Sequence, residues 1–98
     1  MRTIELTESA LTDIDEGYRF YEKQLPGLGS HFEATMMSEI RALHIDAGVH
    51  QLYFGRYFRK VAKRFPWSIY YLIEGDVIRI YGFGDHRRNP EWISDRLK

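Results

Sequence analysis

Leu11, Ile14, Tyr18, Tyr21 and Leu25 recur at intervals of three and four residues, the spacing of one face of a helix. Before them, Thr3-Ile4-Glu5-Leu6-Thr7 alternates polar and apolar and predicts a short strand, with Thr7 or Ser9 able to cap the helix start. Pro26-Gly27-Leu28-Gly29 interrupts the period. A second stripe follows at Leu28, Phe32, Met36, Ile40, Leu43 and Ala47, with Gly48 as a helix stop. So short a connection predicts an antiparallel pair of helices whose apolar faces share one partner.

Past Gly48 the period changes to two. A strand is expected over Tyr57 to Arg64, then Pro66 breaks it. Trp67, Ile69, Tyr71 and Ile73 form one face of the next strand. Glu74-Gly75-Asp76 is a tight hairpin turn, and Val77 to Phe83 returns with Ile78 and Ile80 on one face and Val77, Arg79, Tyr81 and Phe83 on the other. Asn89-Pro90 opens a last helix, with Glu91 at its positive end and a small stripe of Ile93 and Leu97. The expected fold is α+β: an N-terminal strand, an antiparallel helical hairpin on a mainly antiparallel four-stranded sheet, and a short C-terminal helix. At 98 residues this is a single domain, 1–98, without repeat or linker. The 15% aromatic content helps so small a chain build a core.

The formal net charge of +0 hides a segregation. Residues 1–50 hold nine acids against four bases, and residues 51–98 hold ten bases against five acids. Two clusters dominate the basic half: Arg56, Arg59, Lys60, Lys63 and Arg64 before the hairpin, and His86, Arg87 and Arg88 after it. If the strands pair, both clusters reach one end of one sheet. Arg59, Lys60, Lys63, Arg64, Arg87 and Arg88 are therefore the candidate contacts for phosphate or an acidic partner, with neighbouring rings as stacking platforms. The competing reading is an edge strand guarded by charge, with the rings in the core.

Other chemistries find little support. The chain has no Cys, so neither disulfides nor thiolate metal sites are available, which fits a reducing cytoplasm. His31, His44, His50 and His86 form no metal-ligand spacing, and no cofactor motif is present. None of the serines sits in a nucleophile elbow. The opening residues lack the apolar core of a signal peptide, and no apolar run is long enough for a bilayer.

Several segments, taken in order over nearly the whole chain, resemble the RelE/ParE superfamily, the toxins of type II toxin–antitoxin modules. They are the opening strand and helix with Asp13-Ile14 and Tyr18-Arg19-Phe20-Tyr21; Pro26 to Phe32; Lys63-Arg64-Phe65-Pro66-Trp67-Ser68-Ile69-Tyr70-Tyr71; and Asp85-His86-Arg87-Arg88-Asn89-Pro90-Glu91-Trp92-Ile93. The resemblance implies a growth-arresting toxin held silent by a cognate antitoxin. ParE-like members inhibit DNA gyrase, whereas RelE-like members cut mRNA on the ribosome. This chain departs from the RelE-like pattern twice: Ser68 stands where those enzymes carry an Arg, and Trp92 and Ile93 occupy the region of their C-terminal Tyr. The departures favour the ParE-like branch. In a nuclease of this family, His86 would be the general acid and Arg87 would stabilise the phosphorane.

Overall fold

A computed structural model describes residues 2–53, 55–87 and 91–96. The elements run β1 (Thr3–Leu6), α1 (Glu8–Gln24), α2 (Leu28–Asp46), β2 (Gln51–Tyr53), β3 (Tyr57–Val61), β4 (Trp67–Glu74), β5 (Val77–Asp85) and α3 (Glu91–Arg96). The sheet has five strands in the order β1-β5-β4-β3-β2. This corrects the four-stranded expectation. Gln51-Leu52-Tyr53 is too short to show alternation, and it becomes a strand by pairing antiparallel with β3, Leu52 opposite Phe58. The sheet is also mixed: β1 takes the far edge, parallel to β5, with Ile4 opposite Ile78.

Local signals explain the helix ends. The Thr7 hydroxyl accepts the Ala10 amide and caps α1. Gly27, at φ 92°, makes the left-handed step between the helices that a residue with a Cβ resists. The Glu22 carboxylate then ties the hairpin shut, accepting the amides of Gly27 (3.0 Å) and Gly29 (3.0 Å). The helices approach so closely at Gly29 that a Cβ there would lie 2.6 Å from the Tyr18 carbonyl oxygen.

The core lies between the helical hairpin and one sheet face. Phe32, Met36, Leu43, Ile69, Tyr71, Ile78 and Ile80 are fully buried there. Sequestering a ring such as that of Phe32 contributes about 2–3 kcal/mol. The α2 stripe is as the spacing predicts. The α1 stripe is rotated: Ala10, Asp13, Ile14, Gly17 and Tyr21 face inward, whereas Leu11 and Leu25 are more than half exposed. Gly17 belongs on that face because a Cβ would meet the Phe32 ring at 2.6 Å. Phe83 also departs from expectation. A bulge lets Tyr70 pair with Gly82 and Tyr71 with Ile80, and the skipped Tyr81 shifts the phase of β5, turning Phe83 into the helix-side core. β3 ends at Val61, short of Arg64, because Arg64 adopts φ 71° and the chain turns.

The second sheet face is partly covered by α3. Gly82 and Gly84 leave room for it: a Cβ on Gly84 would stand 2.0 Å from the Trp92 ring, and one on Gly82 would stand 2.7 Å from Ile93. Ile93 is fully buried against Tyr57 and Tyr70. Asp13 on α1 pairs with Arg96 and fixes the far end of this helix. The expected cap at Asn89-Pro90, and Leu97 of the expected stripe, lie outside the described residues. Among the described residues no helix is long and apolar enough to cross a membrane.

Candidate binding rim

Strand register carries the two basic segments to one end of the sheet. Val61 pairs with Ser68, Ser68 with Gly84, and Trp67 with Asp85, so the β3–β4 turn and the end of β5 adjoin. The His86 amide donates to the Pro66 carbonyl at 2.9 Å and joins the segments directly. Within the turn, the Phe65 amide donates to the Lys63 carbonyl and the Trp67 amide to the Phe65 carbonyl, both at 2.8 Å. Those bonds, with the left-handed Arg64 backbone, push the Lys63 and Arg64 side chains outward and drop Phe65 into the core.

The candidate cations have separate environments. Arg59 lies on the sheet face away from the helices, its guanidinium 5.1 Å from the centre of the Tyr53 ring. Tyr70, beside it, has its phenol pushed above the ordinary tyrosine range by burial, against the opposing pull of Arg59. Lys60 points the other way, into the molecule. Its ammonium donates to the Glu39 carbonyl at 2.9 Å and pairs with Asp46 at 3.4 Å and the Glu39 carboxylate at 3.7 Å. With its side chain 8% exposed, Lys60 is a core ion-pair residue and is not part of the outer surface. The alternation that separates it from Arg59 is the reason: one face of β3 is covered by α2.

Lys63 and Arg64 are exposed on one wall of an open groove of about 360 Å³. The opposite wall is α2, with His31, Ala34 and Ser38. Glu39 closes one side, its carboxylate accepting the Lys63 amide at 2.9 Å. His31 was not singled out by the sequence. Its separation from Lys63 along the chain hid their shared groove.

Arg87 is largely exposed, yet its guanidinium forks onto Asp85, with Nε at 2.9 Å from Oδ1 and Nη2 at 2.6 Å from Oδ2. The Asp85 carboxyl is held below the usual carboxylate range chiefly by that hydrogen bond. His86 is exposed, and its Nδ1 lies 3.4 Å from the Ser68 hydroxyl. Ser68 itself is completely buried, so no substrate reaches that hydroxyl. Arg88 lies outside the described residues.

Next to the rim, Trp67 spans the gap to α1. Its indole N–H donates to the Tyr21 hydroxyl at 3.0 Å. Burial raises the Tyr21 phenol above its ordinary value. Trp67, Phe20, Gly17, Glu16 and Asp85 outline a more apolar depression of about 290 Å³, with Phe20 more than half exposed. Among the described residues no group of three or more His, Asp or Glu side chains could hold a metal ion.

Comparison with known proteins fixes the fold more firmly than sequence does. No family model matches the chain. No curated protein matches it either. The fold is similar to that of a chain in the solved structure of the chromosomal ParDE TA system from P. aeruginosa, at a TM-score of 0.80. The likeness covers 87% of this chain and 96% of that one, at 18% sequence identity. The two chains share a fold and little of their sequence.

Proposed function

We propose that this chain is the toxin of a type II toxin–antitoxin module, of the ParE-like kind, and that it arrests growth by binding an essential macromolecule in the cytoplasm. DNA gyrase is the proposed target, and a cognate antitoxin the proposed silencer. The observation that carries the reading is the fold shared with a chain of a ParDE system over nearly the full length of both. It joins with the motif order from Asp13 to Ile93, which resembles the same superfamily.

The rim favours binding over cleavage. Where RelE-like enzymes present an Arg, Ser68 is sealed in the sheet. Where they carry a C-terminal Tyr, Trp92 is packed on Gly84 and Ile93 is buried. Arg87 is matched in charge by Asp85, which lowers its availability to a developing phosphorane.

The test is induced expression with and without the neighbouring gene, followed by a supercoiling assay with purified gyrase. The expected result is arrest relieved by the neighbour, and loss of supercoiling or trapped cleaved DNA on adding the pure protein. Gyrase that works normally at every attainable protein concentration overturns the target. A second reading, a ribosome-dependent mRNA endoribonuclease, draws on the exposed His86 beside Arg87. It requires cuts in translated messages that disappear in His86→Ala and Arg87→Ala.

A further inference from the structure

We infer that the groove between α2 and the β3–β4 turn is a docking site for an acidic peptide segment, whose carboxylates meet Lys63 and Arg64. The inference deepens the proposed function, since the segment it assigns would belong to the silencing partner. Its basis is the groove's own chemistry.

Five of the twelve described lysines and arginines have their charge matched within the molecule, and of the other seven only Lys63 and Arg64 line this groove. Arg19 pairs with Asp15, Lys60 with Glu39 and Asp46, Arg79 with Glu5 and Glu74, Arg87 with Asp85, and Arg96 with Asp13. Lys63 and Arg64 have no ion pair among the described residues, although the Glu39 carboxylate lines the same groove. That carboxylate is already engaged by the Lys60 ammonium and the Lys63 amide. Arg64 is also the one non-glycine residue at positive φ among those described, a strained backbone that presents its side chain outward. Such strain clusters at binding and switch regions.

The occupant follows from what the groove lacks and holds. Among the described residues no Phe, Tyr or Trp lines it, and its one ring, the His31 imidazole, is already packed against the buried Phe65, which leaves no aromatic platform for successive bases. Two adjacent cations are too few for a phosphodiester track. The α2 wall is low, built from Ala34 and Ser38, which lets an extended backbone lie close. The Ser38 hydroxyl and the His31 ring can partner the N–H and C=O groups of a peptide backbone. Carboxylates opposite Lys63 and Arg64 complete the match.

The experiment measures fluorescence anisotropy of a labelled ten-residue peptide of alternating Glu and Ser, with an equally long labelled thymidine oligonucleotide as the second probe. The acidic peptide should bind the full-length protein, more weakly as salt rises. Lys63→Gln and Arg64→Gly should each weaken it about tenfold, the loss expected of one charge-assisted contact. Lys23→Gln and Arg41→Gln should leave it unchanged. Arg64→Gly separates binding from folding: glycine accepts φ 71° without strain, so its melting temperature should hold or rise while peptide binding falls. Peptide affinity unaltered in the groove variants, no measurable peptide binding, or tighter groove-dependent binding of the oligonucleotide would each overturn the inference. Growth arrest without peptide binding removes the groove and leaves the toxin reading intact. Peptide binding without growth arrest does the reverse.

Discussion

Asp13 on α1 and Arg96 on α3 form an ion pair that spans nearly the whole length of the chain, with Asp13 buried and Arg96 about three-quarters covered. The same carboxylate accepts the Phe83 amide of β5 at 3.0 Å. One side chain thus joins the first helix, the last strand and the last helix. Asp13→Ala strands both donors and should cost about 2–3 kcal/mol in urea unfolding. Burial, outweighing Arg96 and the Phe83 amide, raises the Asp13 carboxyl above its usual value. The folded state therefore favours the protonated acid. That contribution is full below the unfolded value near 3.8 and is lost as pH rises through the raised folded value. Asp13→Asn, which keeps the shape, should destabilise less than Asp13→Ala and remove this part of the pH dependence.

Lys60 answers for two acids. Lys60→Ala leaves Glu39 and Asp46 without their ammonium, in a place where water cannot fully replace it. The expected loss is about 3–5 kcal/mol. Adding Glu39→Gln to that variant should return part of the loss, since one stranded charge is removed, and a double-mutant cycle reads the coupling. A loss near zero in Lys60→Ala would instead place this ammonium at the surface, with the other cations of β3.

His50 contacts the Tyr71 hydroxyl through Nδ1, and its Nε2 lies 3.8 Å from Asp46. Burial lowers the imidazole below its usual 6.5, more than Asp46 raises it. The fold thus favours the neutral ring. Its contribution is full above the unfolded value of 6.5 and is lost as pH falls through the depressed folded value. Wild-type stability should decline as pH falls from 6.5 towards the depressed folded value, and His50→Gln should show a shallower decline in melting temperature over that span.

Gly84 holds the place of the Trp92 ring. In Gly84→Ala the new methyl would start 2.0 Å from that ring, so α3 must shift. The expected cost is about 1–3 kcal/mol with a red shift of tryptophan emission. Trp92→Ala in the same chain should absorb much of the clash, so the two changes together should cost less than their sum. Strictly additive costs would mean that α3 docks elsewhere on the sheet.

The helices and the strands β1, β3, β4 and β5 were legible in the sequence because side-chain period is a local property. The stripe from Phe32 to Leu43, the Thr7 cap, the Gly75-Asp76 turn and the alternation that puts Ile69 and Tyr71 on one face each follow from a few neighbours in the chain. Even the meeting of the two basic segments could be anticipated, since a hairpin returns β5 to the start of β4. What the sequence could not decide was which distant residue covers each face. Leu11 looked like core, but Ala10, Asp13 and Gly17 are the side facing the sheet and Phe32. Lys60 and Arg59 look alike in one basic run, and α2 buries only the former. β2 exists through its ladder with β3, β1 lies parallel to β5, and the bulge beside Tyr70 turns Phe83 inward. Local periodicity sets the elements. Long-range pairing of strands and charges, which leaves no periodic trace, chose the faces, the buried ion pairs and the two cations left facing the groove.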